Sequence, residues 1–195
     1  MNGSEQSRTE TEQAIFAGGC FWCMESIFQI VPGVVDVVSG YTGGDTEHPT
    51  YAAVSTGQTG HFEAVLVRYD PTQISYKELL GIFWRHIDPT DPGGQFHDRG
   101  SQYRTAIFYG DEAQRALAEQ SKTALQSAGV FDAPIATLIL PADEFYPAES
   151  YHQDYFKTHA AQFNLYSAAT GRMAFVNQAW SGHEDLTLFP DNEQP

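Results

Sequence analysis

The sequence predicts an α/β fold in which helices pack on a mixed sheet, and three observations carry that expectation. Strand-like and helical patterns alternate along the chain instead of clustering in separate blocks. No stretch of linker composition divides the 195 residues, a length that fits one domain with a sizeable core. Hydrophobic residues make up 42% of the chain and aromatic residues 13%, enough to fold without covalent staples.

Taken in order, residues 1–13 are polar and lack the apolar stretch of a targeting segment, so they read as a disordered tail ahead of one catalytic domain over 14–195. "AIFAGG" (14–19) reads as a short buried strand that ends in a glycine turn. Cys20 to Gln29 places Phe21, Met24, Ile27 and Phe28 at helical spacing, and Pro32-Gly33 stops that helix. "VVDVVSGYTGG" reads as a strand running into a glycine loop, and "HFEAVLVRYD" alternates as a strand does. "SYKELLGIFWRHI" has a serine cap and helical period. "DPTDPGGQFHDRGSQY" is a long loop, a length that inside a compact domain usually carries function or is disordered. "RTAIFYG" is a strand, 111–127 a helix with Asp111 at its start and Gly129 past its end, "IATLILP" a strand, and 148–160 another helix. The remaining C-terminal residues show weaker periodicity and are expected to wrap the surface irregularly.

Charge narrows the partners. With 10 basic against 25 acidic residues the formal net charge is -15, which repels nucleic acid and anionic lipid. No apolar run approaches the ~20 residues of a membrane helix. The two cysteines cannot build a disulfide framework and point to a reducing, cytoplasmic setting. A single C-x-x-C supplies half a zinc site, and the long loop lacks the terminal glutamate of a calcium loop, so no metal or other cofactor is expected. His152 and His159, seven apart on the expected helix, read as solvated.

Two features stand out chemically. Both cysteines lie in "GGCFWC", where a strand, a Gly-Gly turn and a helix start place Cys20 at a helix N-terminus. The free N–H groups and dipole there favour an anion and lower a thiol's pKa. Cys23 sits one turn on, a separation that suits a disulfide. Buried thiols packed as small hydrophobes are the plainer alternative. Phe21 and Trp22, adjacent in sequence, cannot share one core stripe, so at least one is expected to be partly exposed. The second feature is Glu63, which shares a strand face with His61, Val65 and Val67. Burial there would keep its carboxyl protonated as a general acid. An edge-strand glutamate facing water fits the same pattern.

"GGCFWCME", "GYTGG", "PTY", "TGHFEAV" and "HDRGSQYRT", in that order, resemble the A-type, S-epimer-specific peptide methionine sulfoxide reductases in their C-F-W-C form. The resemblance implies a two-layer α/β sandwich, a mixed sheet with a split β-α-β, ferredoxin-like core. It implies Cys20 as nucleophile, Phe21 and Trp22 as the pocket for the substrate methyl, and Glu63 as acid. Tyr51 and Tyr103 would be hydrogen-bond donors, and Asp98 an orienting residue. It also implies oxidised protein or free methionine sulfoxide as substrate, with thioredoxin as reductant. Many such proteins carry a resolving cysteine near the C-terminus, but "NLYSAATG" puts Ser167 after Tyr166, leaving Cys23 to resolve Cys20. His48 and Ser55 stand where Asn and Cys are frequent. Two other readings compete: a thioredoxin-like disulfide oxidoreductase, in which Trp would precede the first cysteine, and a module that binds oxidised methionine without turnover.

Overall fold

The computed structural model describes residues 10–189. Its first elements are β1 (Glu12–Gly18), α1 (Phe21–Phe28), β2 (Val34–Thr42), α2 (Tyr51–Val54), β3 (Phe62–Tyr69) and α3 (Tyr76–Trp84). A two-stranded hairpin follows, β4 (Gly94–Gln95) and β5 (Asp98–Arg99), then a 3-10 turn over Ser101–Tyr103. The chain continues through β6 (Thr105–Tyr109), α4 (Glu112–Ala128), β7 (Leu138–Pro141) and β8 (Tyr146–Pro147). A second 3-10 turn (Ser150–His152) leads into α5 (Tyr155–Thr158), α6 (Ala160–Thr170) and α7 (Arg172–Ala179).

The main sheet has the order β7-β6-β1-β3-β2-β8. All its pairings are antiparallel except β6 with β7, so the sheet is mixed. Because β3 pairs antiparallel with both β1 and β2, those two run parallel, joined through α1 with β3 inserted between them. That is the split β-α-β arrangement, and it puts the β1–α1 turn beside β3.

Alternation along the strands sorts the core. Ala14, Phe16, Val65, Val67 and Ile107 face the helices, where they meet Phe21, Met24 and Phe28 of α1, Leu79, Leu80 and Phe83 of α3, and Leu125 of α4. Ile15, Ala17, Ala64, Leu66 and Phe108 build a smaller cluster on the other face. Phe16 ties the layers together, stacking on Phe28 and Phe83 with centroids 5.1 Å away in each case. Helix ends follow their sequence signals. Ser75 and Glu78 form a reciprocal capping box, Asp111 caps α4, and Gly129 closes it in the left-handed conformation.

Three expectations are corrected. Glu12 and Gln13, placed in the tail, pair with Tyr69 and Arg68 at the start of β1; residues 1–9 of that tail lie outside the described residues. Residues 148–160 are not one helix. Asp154 adopts φ 52° between the 3-10 turn and α5, and its N–H donates to the buried Glu25 carboxylate at 3.0 Å, so the chain bends inward instead of continuing. The stretch expected to wrap irregularly contains α6 and α7; both lack a clean apolar stripe, with Leu165 and Met173 exposed.

Candidate active site

The β1–α1 turn delivers Cys20 as the N-cap residue of α1. The turn needs glycine. Gly19 has φ 85°, and a Cβ there would lie 2.6 Å from the Gln95 side chain. Gln95 is fully buried and hydrogen-bonds both ways with the Asp88 backbone, at 2.9 Å and 2.7 Å, which fixes the long loop against the turn. An Asp91–Arg99 ion pair braces the same loop. The hairpin so held presents Asp98, and the following 3-10 turn presents Tyr103.

Cys20, Phe21, Trp22, Tyr51, Glu63, Asp98, Tyr103 and Tyr166 line one cavity of about 70 Å³. That volume admits the tip of a side chain, well short of the ~300 Å³ of ordinary small-ligand pockets. Cys23 does not line it. It packs against Cys20 from α1, with Phe163 beside them, and both cysteines are free thiols. Phe21 is fully buried whereas Trp22 is partly exposed. Trp22 stacks on Tyr155 at 3.8 Å, and its indole N–H donates to His152 Nδ1 at 3.2 Å. Tyr51 opens α2, which Thr50 caps, and its N–H donates to Glu149 Oε1 at 2.9 Å.

Glu63 comes from β3 on the helix-facing side. It is 2% exposed, so the water-facing alternative is not what the fold adopts. Its Oε2 accepts the N–H of Phe21 at 3.1 Å. Burial pushes its carboxyl up to about 8, with Asp98 and Cys23 adding to the rise and the Phe21 N–H opposing it. Desolvation prevails because one neutral hydrogen bond replaces only part of the lost hydration. Tyr51 and Tyr103 are likewise pushed up, chiefly by burial and then by Glu63, and so remain phenols able to donate.

Cys20 departs from expectation. A helix N-terminus was expected to lower its thiol, but burial raises it, with contributions from Cys23 and Glu63. The side chain makes no cap hydrogen bond, and the first free N–H of α1 is taken by Glu63. The dipole therefore serves the carboxyl, and the thiol, 5% exposed, loses its hydration.

Sequence reasoning missed three residues. Tyr166 of α6 closes the cavity and donates to Asp98 Oδ2 at 2.5 Å. Glu149 binds the Tyr41 hydroxyl at 2.8 Å as well as Tyr51, which positions the latter. His152, read as solvated, is 2% exposed and lies 4.4 Å from the Tyr51 ring; burial lowers its pKa. The run "SYHQDY" was the available signal, a histidine set among aromatics. His48 has φ 50°, a left-handed conformation in which Asn, Asp and His are enriched.

The family model for peptide methionine sulfoxide reductase matches residues 12–184. The chain belongs to the peptide methionine sulfoxide reductase family. It is 54% identical over 174 residues to a peptide methionine sulfoxide reductase of Bacillus licheniformis, covering 89% of this chain and 96% of that protein. Among solved structures, it is similar to methionine sulfoxide reductase A of Corynebacterium diphtheriae, with TM-score 0.68 and 36% identity over 81% of this chain and 79% of that one. It is also similar to reduced Mxr1 of Saccharomyces cerevisiae, with TM-score 0.71 and 32% identity over 79% of this chain and 88% of that one. The mixed-sheet α/β architecture is shared with these solved structures. Among the described residues no helix is long and apolar enough to cross a membrane.

Proposed function

We propose that this reductase converts methionine-S-sulfoxide, in proteins or free, to methionine with Cys20 as nucleophile and Glu63 as acid. The observation that carries the reading is a buried carboxyl, its pKa pushed up by desolvation, sharing a side-chain-sized cavity with a thiol. A sulfoxide oxygen is a poor leaving group until protonated, and an ionised glutamate beside a thiolate would repel it. A neutral acid avoids that conflict. Phe21 and Trp22 hold the substrate methyl, and Tyr51 and Tyr103 donate hydrogen bonds to the oxygen. Asp98, fixed by Tyr166, orients the network.

Cys20 attacks the sulfur as Glu63 protonates the oxygen. Methionine leaves and Cys20 keeps the hydroxyl as a sulfenic acid. The step needs no net proton, because the one that the thiol releases restores the carboxyl. Cys23 then displaces the hydroxyl to form a Cys20–Cys23 disulfide, which a thioredoxin-type dithiol reduces by exchange. The cellular setting is the reducing cytoplasm, which two free thiols suit.

Incubation with each resolved sulfoxide epimer, without reductant, tests the reading. One equivalent of sulfide from the S epimer, with a disulfide mapped by mass to residues 20 and 23, is expected. Conversion of neither epimer, or product with both thiols still free, overturns it.

A further inference from the structure

His152 is a buried histidine to which the reaction just described gives no role. It does not line the cavity, but its ring packs on three residues that do. The ring centroid lies 5.1 Å from that of Phe21, 5.7 Å from Trp22 and 4.4 Å from Tyr51. A phenyl ring could fill the same space. What a phenyl ring lacks is Nδ1, which accepts the Trp22 indole N–H at 3.2 Å.

That contact fixes the protonation of the ring. An indole nitrogen can only donate, so Nδ1 carries a lone pair and the single proton of the neutral imidazole sits on Nε2. Nε2 is buried and has no hydrogen-bond partner among the described residues. An unsatisfied buried donor costs stability. The histidine is therefore held in a tautomer whose second nitrogen gains nothing, and the bond to Trp22 is what that tautomer secures. Protonation would place N–H on both nitrogens and abolish the acceptor. Burial opposes protonation, against the pull of Glu149.

The backbone is pinned on both sides of the ring. The His152 N–H donates to the Glu149 carbonyl at 2.9 Å, and the Glu149 side chain binds Tyr41 and Tyr51. Gln153 exchanges hydrogen bonds with the Ser39 backbone of β2 at 3.0 Å and 2.9 Å. The Asp154 N–H reaches Glu25, which lies three residues after Trp22 on α1. Acceptor and donor are thus referenced to the same helix before substrate arrives.

Trp22 has a use for such an anchor. Tyr155 stacks on the indole with the two planes 7° apart, and Tyr166 meets it edge-on at 5.9 Å. Stacking fixes the plane of a ring but tolerates sliding and rotation within that plane, whereas a hydrogen bond is directional.

We propose that His152, as the Nε2–H tautomer, is a positioning residue that sets the in-plane orientation of the Trp22 indole and thereby the fit of the cavity to the substrate methyl. The inference rests on reading Trp22 as a wall of that methyl pocket.

The test measures single-turnover sulfide formation against methionine-S-sulfoxide concentration, which separates the half-saturating concentration from the saturated rate. It compares the unsubstituted protein, His152→Phe, His152→Asn, Trp22→Phe and the Trp22→Phe/His152→Phe double variant. In His152→Phe the half-saturating concentration is expected to rise about three- to tenfold, the worth of one hydrogen bond. The saturated rate should stay within about twofold, because Glu63 and Cys20 are intact. His152→Asn sets an amide oxygen close to the place of Nδ1 and should restore binding to within about twofold. With the indole N–H removed by Trp22→Phe, adding His152→Phe should cost less than about twofold more. If His152→Asn binds as poorly as His152→Phe, or if His152→Phe costs the same with and without Trp22, the proposal is overturned. If Trp22→Phe weakens binding and His152→Phe does not, the proposal alone falls. If Trp22→Phe leaves binding unchanged, the methyl-pocket reading falls with it. Should the His152 variants not fold, the unsubstituted protein still decides through a long-range 1H–15N spectrum at neutral pH, with the His152 ring assigned by its contacts to Trp22 and Tyr51. A proton on Nε2 alone supports the proposal, and a proton on Nδ1 overturns it.

Discussion

Glu63→Gln is the substitution that most sharply probes the chemistry. It conserves shape, and the amide oxygen can still accept the Phe21 N–H, but the transferable proton is gone. With the carboxyl pushed up to about 8, about nine in ten molecules hold the proton at pH 7. At the ordinary carboxyl value of 4.5 it would be about one in 300, so burial enlarges the reactive population about 300-fold. Loss of the acid is expected to slow single-turnover sulfide formation by ~10²–10⁴. The pH profile adds an independent check. If Glu63 and Cys20 react as a neutral pair, the unsubstituted rate is flat up to about pH 7 and falls tenfold per unit above about 8, where Glu63 ionises. In Glu63→Gln the thiol must lose its proton to water, so that rate should rise with pH. The assay is rapid-quench sulfide detection from about pH 6 to 9. A loss below tenfold refutes Glu63 as the acid. An unsubstituted rate that climbs tenfold per unit through pH 8 refutes the neutral pair.

Other consequences follow from the same geometry. Cys23→Ser should reduce one equivalent of sulfoxide and then stall with thioredoxin as the sole reductant; sustained turnover would assign resolution to another thiol. Because the folded-state pKa of Glu63 is raised above its unfolded value, its stabilising contribution is complete below about pH 4.5 and is lost as pH rises through about 8. Thermal melts should therefore show Tm falling over that window. Glu25, pushed up to about 7, acts in the same direction, so Glu63→Gln should shrink the slope without abolishing it. Phe16→Ala, which empties the junction between β1, α1 and α3, should cost ~3–5 kcal/mol by denaturant titration. A loss under ~1 kcal/mol would mean that the core collapses freely around the site.

What the sequence disclosed depended on whether a residue's role was encoded locally. Period-two alternation in β3 put Glu63 with Val65 and Val67, and the fold buries that face. Caps at Ser75 and Asp111 marked two helix starts without tertiary help. The C-terminal third was opaque for the opposite reason. The break at Asp154 is set by Glu25, 129 residues earlier, through one N–H···carboxylate contact. Helix α6 buries little besides Phe163 and Thr170, so periodicity had no stripe to reveal. Tyr166 enters the site from α6.

The misjudged thiol shows why one local rule was insufficient. A helix start favours whichever anion or polar acceptor reaches its free N–H first. Here the acceptor is Glu63 Oε2, delivered by the neighbouring strand, and the bound N–H belongs to the residue next to Cys20. That single contact registers the Glu63 carboxyl against the Cys20 thiol, because any shift of the turn carries Cys20 and the Glu63 anchor together. It also leaves the other carboxyl oxygen to bear the proton. Had the N-terminus stabilised Cys20 as a thiolate instead, an unanchored Glu63 would have faced a fixed negative charge, which raises a carboxyl pKa further and weakens it as a proton donor. In the proposed reaction, a thiol kept neutral until substrate arrives would leave the Glu63 carboxyl near working pH, where proton transfer in both directions is least costly.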